Sequence, residues 1–296
     1  MASSLLKPAP LWSGVRRSLF DAPAPLRLWH LASLDAPTVA VAWALAFAWA
    51  AGVRLPAWVP VLLALGTWTV YIGDRLLDAR SGLRSGALHR LRERHFFHWR
   101  HRRTLLALAI ATGAAAAAII FILMPAGLRE RNSALGIAAL AYFSGVHSRR
   151  RAPSWLRPVL SKEFLVGVLF TAGCALPTVT RMRLEATPAA ALWLMLAPIA
   201  FFAALAWLNC HAIERWESAS HAARIFVAAG LLAFIGLLLA SVFAPVQGRA
   251  AALFAAGAAS SLLLALLDRA RSRMTPLALR AVADLVLLTP FLLVLR

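Results

Sequence analysis

Apolar residues in this chain run in long unbroken blocks, and polar residues gather in the short stretches between them. A helix rises about 1.5 Å per residue, so about 20 mostly apolar residues cross the roughly 30 Å hydrocarbon core of a bilayer. Nine segments fit that pattern: 37–53, 58–77, 104–124, 133–146, 159–176, 188–210, 225–243, 249–267 and 276–295, the fourth being the shortest. The pattern predicts an all-α polytopic membrane bundle of about nine spans. Residues 1–36 form an N-terminal arm and 37–296 a single transmembrane domain, since no linker-like stretch divides them. The arm carries Lys7, Arg16, Arg17, Arg27 and several prolines and has no compact apolar region with a cleavage site, so it is not read as a signal peptide. An interfacial segment is expected around 26–34. The alanine run 114–118 offers a small-residue face on which a neighbouring helix can pack closely.

Composition agrees with the pattern. Hydrophobic residues make up 61% of the 296, charged residues 15%, and mean hydropathy is +0.73. Soluble domains carry about 45–50% apolar and about 25% charged residues, so a water-soluble domain and a disordered chain are both excluded. Net charge is +19, from 31 Lys+Arg against 12 Asp+Glu. In a soluble protein such a balance suggests nucleic acid. Here the basic residues lie between apolar blocks, where they set topology and meet anionic lipid or phosphate, so nucleic acid is not expected as a partner. The arm and the loops 79–103, 147–162, 209–224 and 268–275 together hold 22 Lys/Arg, and the alternate connections hold seven. That bias predicts a multi-pass protein of a cell inner membrane with its N-terminus cytoplasmic and its C-terminus on the opposite side. The two cysteines, Cys174 and Cys210, give no disulfide scaffold and no zinc-site spacing.

The chemistry concentrates in two segments. In 69–78, Asp74 and Asp78 stand four apart at the end of the second span, so a helix puts both carboxylates on one face about 6 Å apart. Like charges there repel unless something positive joins them. Either Arg75 and Arg80 neutralise the pair, or a divalent cation such as Mg²⁺ bridges the carboxylates to a substrate phosphate. In 209–217, Glu214 and Glu217 share a helical face at the end of the sixth span, with Asn209 and His211 a turn earlier. The topology puts both acidic clusters at one depth on one side, as around a single polar cavity; a solvated loop is the alternative for the second. Cys210 reads as packing.

Other polar features are read more plainly. The stretch 88–103, rich in arginine and aromatics, suits a helix at the anionic interface that caps the cavity and meets phosphate. Its histidines, 89, 95, 98 and 101, are not expected to bind metal among so many arginines. Lys162 opens the fifth span beside Glu163, placed either for a local ion pair or for phosphate. Arg280 and Asp284, four apart in the ninth span, are expected to pair with each other inside the bundle. Tryptophans 29, 58, 99, 155 and 216 fall near span ends, as in an aromatic belt.

With these residues in place, the chain resembles the UbiA superfamily of intramembrane prenyltransferases. The similarity covers residues 27–296 as architecture: nine spans with acidic motifs after the second and sixth. That family's first motif is Asn-Asp-x-x-Asp-x-x-x-Asp; its last two aspartates fall on Asp74 and Asp78, while Val70 and Tyr71 stand at its Asn-Asp positions. The second motif is commonly Asp-x-x-x-Asp, where this chain has Glu214 and Glu217, with Asn209 nearby. Tyr142-Phe-Ser144, then Arg149-Arg150-Arg151, then Gly167, Gly173 and Pro177 look like the family's Tyr/Ser, basic-pair and Gly/Pro pattern. The resemblance implies a Mg²⁺-dependent transferase moving a prenyl group from a polyprenyl diphosphate to an aromatic or other small acceptor. It implies Asp74, Asp78, Glu214 and Glu217 as metal-binding catalytic groups. It implies Arg84, Arg149, Lys162, Asn209 and Tyr142 as substrate-binding groups. Two other functions fit the same sequence: a non-catalytic relative that binds isoprenoid or another lipid, and a small transporter with a polar midplane site.

Overall fold

The computed structural model describes residues 20–84, 92–130, 132–134, 136, 162–218 and 224–294. Among these the chain is all-helical, with 87% helix and no strand. The helices are α1 (Ala24–Leu31), α2 (Asp35–Ala51), α3 (Trp58–Arg84), α4 (Glu93–Arg100), α5 (Arg102–Leu123), α6 (Lys162–Leu184), α7 (Ala189–Glu217), α8 (Ile225–Phe243), α9 (Gly248–Ala270), α10 (Pro276–Leu285) and α11 (Phe291–Val294).

Six stretches among the described residues are long and apolar enough to cross a membrane: Arg102–Leu123, Glu163–Leu184, Ala189–Glu217, Ile225–Phe243, Gly248–Arg273 and Pro276–Val294. A seventh is added if α1 and α2, bent by 88° at their junction, count as one. The other predicted spans differ for physical reasons. α2 alone has 17 residues. α3 has 27, but its second half carries Asp74, Arg75, Asp78 and Arg80, which lower its hydropathy. The fourth predicted span, 133–146, falls almost wholly outside the described residues.

Local sequence explains the breaks. Ser33 takes a left-handed φ of 58° at the α1–α2 corner and is fully buried. Gly52 ends α2 with φ 71°, the usual role of glycine one residue past a helix. Pro276 opens α10 at a position where no N–H is needed, and the Thr275 hydroxyl accepts from the Ala278 amide at 3.2 Å.

α2 is central. It packs on α3, α6 and α9, while α8 lies along α9, α6 along α7, and α3 along α5. Trp43 of α2 stacks on Phe202 of α7 with ring centroids 3.8 Å apart, and its indole N–H donates to the Leu287 carbonyl at 2.9 Å. Gly167 lets α6 approach α7: a Cβ there would lie 2.9 Å from the Trp207 backbone nitrogen. Large apolar side chains such as Ile110, Ile122 and Phe234 point outward. That is natural where the surrounding solvent is hydrocarbon, because helices already satisfy their own backbone.

The connections that carry most of the basic residues meet at one end. Phe20 bridges Met274, Arg27 pairs with Glu93, Arg92 and Arg94 reach Glu217, and the Trp216 indole donates to Asp268 at 2.7 Å. At the other end Arg249 donates to the Trp49 carbonyl at 3.1 Å. The described parts of the arm and of loops 79–103, 209–224 and 268–275 therefore share one face, as their charge predicted. α1 lies across that end, where an interfacial segment was expected.

Of 88–103, residues 92–103 are described. α4 folds over the bundle end, where a cap was expected, with Arg94 and His95 lining the acidic cavity, and His95 and His98 are buried. His98 Nδ1 donates to the Arg94 carbonyl at 2.7 Å, so Nε2 accepts from the Ser33 hydroxyl at 3.1 Å. His95 Nδ1 accepts from the Arg92 amide at 2.9 Å. These bonds suit neutral rings. Burial, aided by neighbouring guanidinium groups, holds the His95 pKa down at about 3 and the His98 pKa at about 4.

Candidate functional site

At the polar end, under α4, a cavity of about 430 Å³ is lined by Asp74 and Asp78 from α3, Glu163 from α6, Glu214 and Glu217 from α7, and Asp284 from α10. Tyr71, Arg75, Arg94, His95 and Arg280 also line it. Each acidic side chain is placed by helix periodicity. Asp74 and Asp78 are one turn apart on α3, and Glu214 and Glu217 nearly one turn apart on α7, so both pairs project the same way. The two acidic clusters that sequence alone put at one depth therefore share a cavity.

Within this cavity the six carboxylates are not equivalent. Glu217 is engaged by two guanidinium groups: Arg94 donates through Nη1 at 2.5 Å and Nη2 at 3.0 Å, and Arg280 Nη1 donates at 2.9 Å. Arg92 adds a bond to the Glu217 carbonyl oxygen at 2.5 Å. Burial, reinforced by Arg280, lowers the Arg94 pKa to about 10, so its guanidinium stays charged at neutral pH and holds Glu217 firmly. Glu217 thus links α4, α7 and α10.

Arg280 and Asp284 separate in the same way. The described ion pair of Arg280 is with Glu217, while Asp284 accepts from the Asn209 amide at 3.3 Å and lies 3.8 Å from His30 Nδ1. The expected pair inside the ninth span is therefore replaced by bonds to α7 and α1. Spacing of four allows Arg280 and Asp284 to meet, but partners on neighbouring helices decide which bonds form.

The other predicted site residues are distributed as follows. Asn209 is buried just below the cavity and lines a narrow cleft of about 30 Å³ with Val39, Gly167, Phe170 and Leu287. Tyr71, Val166, Cys210 and Asp284 line both spaces, so the polar cavity continues into an apolar one. Arg84 ends α3 and Lys162 begins α6. Tyr142 and Arg149 lie outside the described residues.

Sequence reasoning missed His30 and Asp35. Both are buried, and His30 Nδ1 donates to Asp35 Oδ2 at 2.7 Å. Arg75 reaches the same oxygen at 3.4 Å and lies over the Tyr71 ring, with one guanidinium nitrogen, Nη1, buried and unpartnered among the described residues. Arg75 thus serves Asp35 on α2, a use its position between Asp74 and Asp78 did not suggest. One signal was readable: an acidic residue opening an apolar helix of 17 residues needs a buried partner.

Comparison with known families, with curated proteins and with solved structures finds no match to this chain. What the site can do must therefore be read from its own groups. Carboxylates from four helices surround arginine side chains beneath a folded cap. The carboxylates offer hard oxygens, the donor type Mg²⁺ prefers, but among the described residues the group whose ligand atoms lie within 4.8 Å of one another is His30, Asp35 and Asp284, not the predicted set.

Proposed function

We propose that this chain is a nine-span intramembrane transferase of UbiA-like type, with its N-terminus cytoplasmic, that moves a prenyl group from a polyprenyl diphosphate to a small acceptor. The observation that carries the reading is that Asp74, Asp78 and Glu214, from two helices far apart in sequence, line one cavity with Arg75, Arg94 and Arg280. Asp74, Asp78 and Glu214 would hold Mg²⁺, which when bound neutralises charge on a leaving diphosphate. The residues themselves supply the rest. Arg75 and Arg94 place fixed positive charge at the cavity wall, where low dielectric strengthens it. α4 covers the cavity and limits water. Glu217, held by Arg94 and Arg280, positions both guanidinium groups rather than acting as a ligand. The apolar cleft below marks the start of a path for the lipid tail, although at about 30 Å³ it must widen to accept one.

A second reading, an isoprenoid-binding relative without turnover, is favoured by the commitment of Glu217 to two arginines, which leaves the second acidic cluster with one carboxylate facing the metal. The test is binding of a geranylgeranyl diphosphate analogue to purified protein with and without Mg²⁺, in wild type and in Asp74→Asn/Asp78→Asn. Mg²⁺-dependent binding lost in the double variant is expected. Binding indifferent to Mg²⁺ and to the variant supports the second reading. No binding by folded protein at several chain lengths overturns both.

A further inference from the structure

His30 of α1, Asp35 of α2 and Asp284 of α10 converge, with ligand atoms that all lie within 4.8 Å of one another. His30 Nδ1 is 2.7 Å from Asp35 Oδ2 and 3.8 Å from Asp284 Oδ2. A tetrahedral zinc ion with ligands at about 2.0–2.2 Å keeps them about 3.3 Å apart, and the two observed separations bracket that value. The His30 and Asp35 side chains are 1% exposed, whereas Asp284, at 18%, lines the acidic cavity and gives a cation its way in. Neighbours hold the ligands in place. Asp35 Oδ1 accepts from the Ala36 amide at 2.9 Å, which leaves Oδ2 for a metal. Asp284 Oδ1 accepts from Asn209 Nδ2 at 3.3 Å, which leaves its own Oδ2 for the same purpose. Asn209 is 2% exposed, and its Oδ1 is buried with no hydrogen-bond partner among the described residues. Asn209 and Asp284 line the same cleft of about 30 Å³, room enough for a water. A buried amide oxygen needs a donor, and a metal-bound water supplies one.

We propose that His30, Asp35 and Asp284 bind one divalent transition-metal ion, Zn²⁺ by their donor set, with a water in the fourth position donating to Asn209 Oδ1. This holds independently of the transferase reading above. Donor chemistry separates the site from the Mg²⁺ site of that reading: imidazole nitrogen suits Zn²⁺ and Co²⁺, whereas Mg²⁺ keeps to oxygen ligands and its own waters. Zn²⁺ takes the lone pair of Nδ1. The ring proton passes through solvent from Nδ1 to Nε2, so the imidazole stays neutral. Two carboxylates balance the charge of the ion. Arg75, 3.4 Å from Asp35 Oδ2, makes the site weaker than it would be without that guanidinium. The bound ion ties α1 and α2 to α10, a segment from the far end of the chain.

The experiment uses the full chain in mild detergent, stripped of metal by a chelator and titrated with Zn²⁺ alone or Co²⁺ alone. Wild type is expected to take up one Zn²⁺ per chain that excess Mg²⁺ does not displace, and Co²⁺ is expected to give the intense visible bands of four-coordinate geometry. His30→Gln and Asp284→Asn are expected to bind Zn²⁺ about tenfold or more weakly, since even partners outside the ligand set are worth that much. Asp74→Asn/Asp78→Asn is expected to bind it as wild type does. Asparagine at 284 keeps an acceptor for Asn209, so that variant decides if His30→Gln does not fold. If neither folds, X-ray absorption at the zinc edge of wild type decides: a shell of oxygens with one imidazole and no sulfur supports the site, and any other shell overturns it. Absence of one-to-one binding, undiminished binding in His30→Gln or Asp284→Asn, or loss of binding in Asp74→Asn/Asp78→Asn also overturns the proposal. The donor reading fails separately, through the absence of Mg²⁺-dependent diphosphate binding.

Discussion

Glu217→Gln tests the link between the cap and the bundle. The carboxylate receives two bonds from Arg94 and one from Arg280, and its side chain is 23% exposed. Glutamine keeps the shape but removes the charge, and its amide N–H₂ group turns toward guanidinium donors. Breaking a buried ion pair by neutralising one partner costs about 3–5 kcal/mol, because the remaining charge stays desolvated. Here Arg94 and Arg280 are 13% and 19% exposed, so water recovers part of that loss. The expected destabilisation is about 2–3 kcal/mol. The assay is reversible unfolding by SDS titration in mild detergent, with hydrogen exchange on the peptide covering α4. The midpoint should fall, and α4 amides should exchange faster while those of α9 change little. A double-mutant cycle with Arg94→Gln should return a coupling of about 1–3 kcal/mol. A loss below about 0.5 kcal/mol with unchanged α4 exchange would refute the view that Glu217 anchors the cap.

Three further outcomes follow from the same geometry. Histidines 95 and 98 have folded pKa values of about 3 and 4, below the ordinary 6.5, so the unfolded chain binds more protons in acid; stability should be full above pH 6.5 and fall between 6.5 and about 4, and a pH series of unfolding midpoints should flatten in His95→Gln/His98→Gln. Asp268→Ala removes acceptors for the Trp216 indole, the Phe226 amide and Arg271, and should cost about 3 kcal/mol in the same unfolding assay. Gly167→Ala places a Cβ 2.9 Å from backbone on α7 and should cost about 1–3 kcal/mol, whereas Gly173→Ala, with open space around it, should be neutral or slightly stabilising.

Much of this protein was readable from its sequence because the signals are local. Hydropathy blocks are contiguous along the chain, so they mark α5 through α9 directly, and helix periodicity puts Asp74 with Asp78 and Glu214 with Glu217 whatever the neighbours do. The described parts of the basic loops share one end because a bilayer admits only two sides, which turns a count of arginines into a topological grouping. Partner choice is different, since it depends on contacts between residues far apart in the chain. Only the folded bundle assigns Arg280 to Glu217 rather than to Asp284, Arg75 to Asp35 rather than to its acidic neighbours, and His30 to Asp35. The same holds for α4, whose amphipathic sequence suits an interface but whose histidines find hydrogen-bond partners in the bundle. In a low-dielectric interior each buried charge takes the nearest well-oriented counter-group, and nearness there is a property of helix packing.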